Sequence, residues 1–189
     1  MRRLAILLAC LPLLLPATPR ADEVGDALGE ATRAYRSGDF ATTRSSLQEA
    51  LQFLAQRSAA ALAAALPGPL AGWKADDAET SAAALGLLGG GNQATRRYEN
   101  ADGKAVELQV TADSPMVTQL AMVMNNTAMM AAMGKLVRIG SQRAVQTTDN
   151  DVQMLVDNRI MVVLSGDAPV EAKLAYARAI DLAKLAAVK

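Results

Sequence analysis

The spacing of apolar residues changes period part-way along the chain. From Asp22 to Leu66 it is rich in Ala, Leu, Gln, Arg and Glu, without proline and with glycine only at Gly25, Gly29 and Gly38, a composition that favours helix. Ser-Gly-Asp within "YRSGDF" (35 to 40) interrupts this stretch and predicts two helices folded into a hairpin, the second opening at Asp39 as its N-cap. In that second helix Phe40, Leu47, Leu51, Leu54 and Leu62 recur on one side and give the hairpin an apolar face to bury.

"LPGPLAGW" (66 to 73) ends the helical part with two prolines and two glycines, just before the only tryptophan, Trp73, and reads as a hinge. "AETSAAALGLLGGGNQ" (78 to 93) is small, apolar and glycine-rich, as in a flexible connection or lid. Its Gly89-Gly90-Gly91 run lacks the Gly-Lys-Ser/Thr of a phosphate loop.

Beyond it the period drops to two. Val106, Leu108 and Val110 alternate with Glu107, Gln109 and Thr111 after a turn at Asp102-Gly103, which predicts a β-hairpin. A helix opens at Ser114-Pro115. Four short β-rich runs follow, "KLVRIG", "RAVQTT", "VQMLVD" and "RIMVVLSG", the last two joined by a tight turn at Asp157-Asn158, and Asp167 and Pro169 introduce a closing helix to about Ala187. This order lacks regular βαβ alternation and predicts an α+β fold: an N-terminal helical hairpin followed by an antiparallel sheet with helices packed on one face. The expected divisions are 1–21, 22–66 for the hairpin, 67–92 for the hinge and glycine-rich connection, and 93–189 for the α+β domain.

Tyr35, Gly38-Asp39-Phe40 and Ala50-Leu51 make the hairpin turn resemble that of a tetratricopeptide repeat. Thr43 replaces the usual small alanine, and no second copy follows at the period of about 34 residues. A single hairpin packed on its own domain is expected rather than an array. From Leu66 onward, Leu66-Pro67, Gly72-Trp73, Arg96 to Tyr98 and Asp113-Ser114-Pro115 resemble the pattern of a loose group of small exported bacterial proteins. That resemblance implies export and an α+β form, and transfers no activity and no site.

Export is also written in the first residues. Met1-Arg2-Arg3 leads into an apolar run from Leu4 to Leu15, short for a membrane span and typical of a signal peptide, with Ala17 or Ala21 before the cut. Cys10, in Leu7-Leu8-Ala9-Cys10, offers the rival reading of a lipoprotein. No later run has the length of a transmembrane anchor. Cleavage after Ala21 leaves 168 residues with 16 basic and 19 acidic side chains and no cysteine. This balance gives no electrostatic footprint for nucleic acid, and the fold must stand without a disulfide in the compartment that permits one.

The chain contains no histidine, so the mature protein lacks the common general base, the thiolate nucleophile and the usual zinc ligands. Asp76-Asp77 and Asp149 to Asp151 lie in turn-like surroundings and read as solvated loop acids. Asp181 falls within the stripe Val170, Leu174, Ala177, Leu185 and Val188 of the closing helix. The alternative face of Tyr176, Ile180, Ala183 and Ala187 would free Asp181 for solvent.

The densest chemistry is sulfur. "MVTQLAMVMNNTAMMAAMG" (116 to 134) holds six methionines in nineteen residues. As one helix it would align Met122, Met129 and Met133, with Met130 beside them, in an arrangement suited to the soft ions Cu(I) or Ag(I). Asn125-Asn126-Thr127 threatens that helix. The same thioethers fill irregular cores and make adaptable docking surfaces. The functional expectation is a periplasmic, non-enzymatic binding or accessory protein, monomeric or weakly self-associating, acting through an envelope protein partner or apolar ligand at Trp73, Met129 and Met130. Cu(I)/Ag(I) handling at Met122, Met129 and Met133 is the alternative, and a carboxylate-based enzyme the third reading.

Overall fold

The computed structural model describes residues 22–83 and 91–188. The signal-peptide expectation, Cys10 and the glycines 89 and 90 lie outside the described residues. Helices α1 (Glu23–Ser37) and α2 (Phe40–Ala65) form the hairpin. Gly38 closes α1 in the left-handed conformation at φ 78°, and the Asp39 carboxylate accepts the Thr42 amide at 3.0 Å to open α2. The turn chemistry read from the sequence is therefore the turn chemistry used.

An eight-stranded antiparallel sheet follows: β1 (Trp73–Ala75), β2 (Glu79–Ala83), β3 (Gly91–Asn100), β4 (Ala105–Ala112), β5 (Gly134–Ile139), β6 (Gln142–Thr147), β7 (Val152–Val156) and β8 (Ile160–Ser165). The order is β1-β3-β4-β8-β7-β6-β5, with β2 also pairing with β3. Helices α3 (Pro115–Met124) and α4 (Thr127–Met133) carry the chain from central β4 to edge strand β5, and α5 (Val170–Ala179) and α6 (Leu182–Ala186) follow β8. This is the α+β architecture that the change of period predicts. Asp157 and Asn158 both take positive φ, 51° and 53°, in the three-residue loop between the paired Val156 and Ile160, a left-handed conformation that Asp and Asn adopt more readily than other side-chain-bearing residues.

Alternation decides which face is buried against what. Val106, Leu108, Val110 and Ala112 of β4 share the main core with Ile160, Val162 and Leu164 of β8, and with Leu62, Ala65, Tyr176 and Leu185 from the helices. Val145, Leu155 and Met161 have the opposite parity and form a second cluster with Val117, Ala121, Met124 and Met130. Helices α2, α5 and α6 thus serve one face, and α3 and α4 cover part of the other, so within the expected α+β form the helices are not confined to one face.

Three local expectations change. Residues 79–83 form strand β2, paired along β3 from Glu79↔Thr95 to Ala83↔Gly91, rather than loop. Small residues suffice where a neighbouring strand supplies the hydrogen bonds. The methionine stretch is two helices, because the Asn126 side chain caps α4 through the amides of Ala128 and Met129. The closing helix is also two: Asp181 is the N-cap of α6, accepting from the Lys184 amide at 2.9 Å, and this role explains a carboxylate on an otherwise apolar stripe.

Candidate functional site

Trp73 lies at the end of a fastened segment. The Tyr98 hydroxyl donates to the Pro67 carbonyl at 2.8 Å and Arg96 Nη1 donates to the same oxygen at 3.3 Å. The Leu70 amide donates to the Tyr176 hydroxyl at 3.2 Å. The Tyr176 ring stacks on Tyr98 with centroids 4.2 Å apart and meets Trp73 edge-to-face at 5.4 Å. Where the sequence suggests a hinge, the side chains make a buckle. Burial pushes the Tyr98 hydroxyl up to about 12 and raises Tyr176 as well, since a phenolate there would lose its water. Half-buried Trp73 also borders a groove of about 660 Å³ with Lys74, Glu99, Asn100 and Gly103.

The methionines divide by face. Met124 and Met130 are buried, Met130 to 1% exposure, and Met133 packs partly against the same cluster. Met122 and Met129 point outward at 75% and 47% exposure. Met130 therefore cannot serve the docking role expected of it in this conformation. Its thioether fills the space between α4 and the sheet. Asn125 and Asn126 separate Met122 from Met129 and Met133, so the alignment calculated along one helix no longer holds, while Met129 and Met133 stay one turn apart on α4. The break is tied down: Asn125 Nδ2 donates to Asn158 Oδ1 at 3.2 Å and Arg143 Nη1 to Thr127 Oγ1 at 3.0 Å. Asn125, Arg143 and Asn158 edge a polar cleft of about 350 Å³ that Gln142 and Asp157 also line.

A third apolar surface was misassigned from sequence. The stripe on α2 is buried only at Leu62. Phe40, Leu47, Leu51 and Leu54 are exposed, as are Leu28 and Tyr35 on α1. The inner contact of the hairpin is made by small residues instead, Val24, Ala27, Ala31 and Ala34 against Ser46 and Ala50. The Tyr35 and Phe40 rings meet edge-on at 6.2 Å, joining the exposed apolar residues of the two helices at the turn.

The acids are dispersed. Asp76, Asp77 and Asp149 are exposed, and among the described residues no three or more His, Cys, Asp or Glu gather into a metal-binding group. Asp151 departs from its expected solvated role: buried Lys173 of α5 donates to its Oδ1 at 3.3 Å and to the Asn150 carbonyl at 3.1 Å. This pair latches α5 to the β6–β7 turn, and a lone lysine in a helical stretch carried no sign of it. Asp113, at φ 55°, pairs with Arg159 at 3.3 Å, and Arg159 also donates to the carbonyls of Ala186 and Val188. Pro67, Arg96 and Tyr98 thus stand in the buckle, Asp113 in this clasp, and Ser114 as the cap of α3. Compared with known proteins, the chain matches no family model, no curated sequence and no solved structure. Among the described residues no helix is long and apolar enough to cross a membrane.

Proposed function

We propose that the protein is an exported, periplasmic, non-enzymatic binding or accessory module that engages an envelope protein or apolar ligand through α3 and α4. The observation carrying this reading is the division of methionines within two short helices. Met124 and Met130 anchor the helices in the second cluster, while Met122 and Met129 present flexible thioethers to solvent. A fixed backbone bearing adaptable apolar side chains suits a partner whose contours vary. The acid clusters of the sequence stand in exposed loops at Asp76, Asp77 and Asp149, which favours binding over carboxylate catalysis.

Native mass spectrometry of the protein purified gently from its own host tests the proposal. A bound protein or ligand is expected, lost in the Met122→Ser/Met129→Ser double variant with an unchanged far-ultraviolet circular dichroism spectrum. A bare chain, or a bound mass indifferent to both substitutions, overturns it. Met129 and Met133, one turn apart on α4, support a second reading, soft-metal handling by this pair, with Met122 of α3 no longer in line with them. That reading requires silver to protect these methionines from peroxide, and equal oxidation with and without silver removes it.

A further inference from the structure

We infer that the exposed face of the N-terminal hairpin is the docking surface for a second copy of this chain, with α2 packing antiparallel on α2. The argument begins with spacing. Leu47, Leu51 and Leu54 stand four and three residues apart, with Phe40 seven before Leu47, the alternation that seats one helix on another. The seam continues the stripe that α2 already buries: Leu62 lies on the same side and is fully covered by the protein's own core. One helix face is thus used twice, by the sheet at its C-terminal end and, at its N-terminal end, by the second copy.

Area and charge select that occupant. Phe40 and Tyr35 are each 66% exposed, and Leu28, Leu47, Leu51 and Leu54 lie between 44% and 48%. On helical geometry Leu28 and Tyr35 fall on the same side of the hairpin as the α2 seam. Together they offer roughly 600 Å² per copy, between a crystal contact at under about 400 Å² and a standard interface at about 800 Å² per partner. Thr43, Gln48 and Gln52 flank the seam without charge, whereas Glu23, Asp26, Glu30 and Glu49 line the opposite face of the hairpin with Arg33. An anionic bilayer would call for a basic rim, and a strongly charged partner would call for charges to meet.

The one charge within the seam, Arg44, sets direction. Antiparallel pairing that places Leu47 against Leu51 of the second copy puts Arg44 against Leu54, and separates the two guanidiniums by about 15 Å along the helices. Parallel pairing stacks them on each other. A polar residue at one seam position is a known means of fixing helix register.

Sedimentation equilibrium of the full chain as its host processes it, over about 1–200 µM, reads the result directly. The expected outcome is a monomer–dimer equilibrium with a micromolar dissociation constant. Leu51→Glu places two carboxylates in the seam and should raise that constant about a hundredfold or more, with circular dichroism unchanged because the residue is already exposed. Leu54→Glu serves as an independent second variant, and Met122→Glu should leave the dimer intact. A monomer throughout, or a dimer indifferent to Leu51→Glu and Leu54→Glu, overturns the inference. So does a monomeric chain that co-sediments with vesicles of phosphatidylcholine and phosphatidylglycerol.

Discussion

The hairpin α1–α2 and the methionine helices α3–α4 both leave apolar side chains in water, but they fill their inner contacts differently. The hairpin turns Ala27, Ala31, Ala34 and Ala50 inward and its leucines and aromatics outward. In α3 and α4 the same residue type serves both directions, with Met124 and Met130 inside and Met122 and Met129 outside. Alanine contacts bring helix axes close but bury little area, so the hairpin gains little from its own interior. Its large side chains face solvent instead. Leucine and aromatic rings hold few rotamers and suit one fixed complement, while thioethers adapt. The binding proposed at α3 and α4 and the self-association inferred at the hairpin thus call for different side-chain chemistry.

The sharpest test of this contrast lies within one helix. Leu62→Ala should cost about 4 kcal/mol in denaturant unfolding, through lost burial plus the cavity. Leu54→Ala, on the same stripe where it overhangs, should stay within about 0.5 kcal/mol of the parent at dilute, monomeric concentration. Equal effects would mean that the overhang is not free. The methionine helices offer a parallel pair: Met130→Ala is expected to lose about 3 kcal/mol and Met129→Ala almost nothing. Limited peroxide followed by peptide mass spectrometry should oxidise Met116 and Met122 before Met124, Met130 and Met154, which are buried.

Two titrations probe the joints between these regions. Tyr98 in the buckle has its hydroxyl raised to about 12 from an ordinary 10.0. Its contribution to stability is therefore complete below pH 10 and is lost as pH rises toward 12. Ultraviolet difference spectra should show two tyrosines ionising late, with unfolding, and Tyr98→Phe should shift that alkaline transition. The smallest effect is at the hairpin turn. The Thr42 amide and hydroxyl hold the Asp39 carboxyl below its usual range, so its contribution is present at neutral pH and fades as pH falls through the lowered value. Asp39→Asn should retain the cap and flatten that acid limb of the melting-temperature profile.

Much of this fold was legible because it was local. Strict alternation at Val106, Leu108 and Val110, positive-φ residues at Asp157-Asn158, and the caps Asp39 and Ser114 each specify a conformation within a few residues. Strand β2 was not legible, since Glu79 to Ala83 holds no pattern of its own and becomes a strand only beside β3. The Asp181 anomaly was visible as a conflict of periodicity, yet its resolution as a helix start required the break at Ile180. The candidate surfaces fared unevenly for a related reason. Periodicity shows that Phe40, Leu47, Leu51 and Leu54 share a face, but not that the sheet ends before it reaches them. It also shows methionines on a helix without showing that Asn126 restarts the helix and sends Met130 inward.

Gly134 has a mechanical consequence. Helix α4 ends at Met133 and β5 begins at the next residue, and a Cβ on Gly134 would collide with the carbonyl of Gln146 in β6. With no slack between helix and strand, a pull on α4 is delivered to the first rung of β5, the outermost strand of the sheet. A load on α4 would therefore reach the sheet at the Gly134↔Thr147 rung, the end of an edge pairing from which a strand can be unzipped one rung at a time.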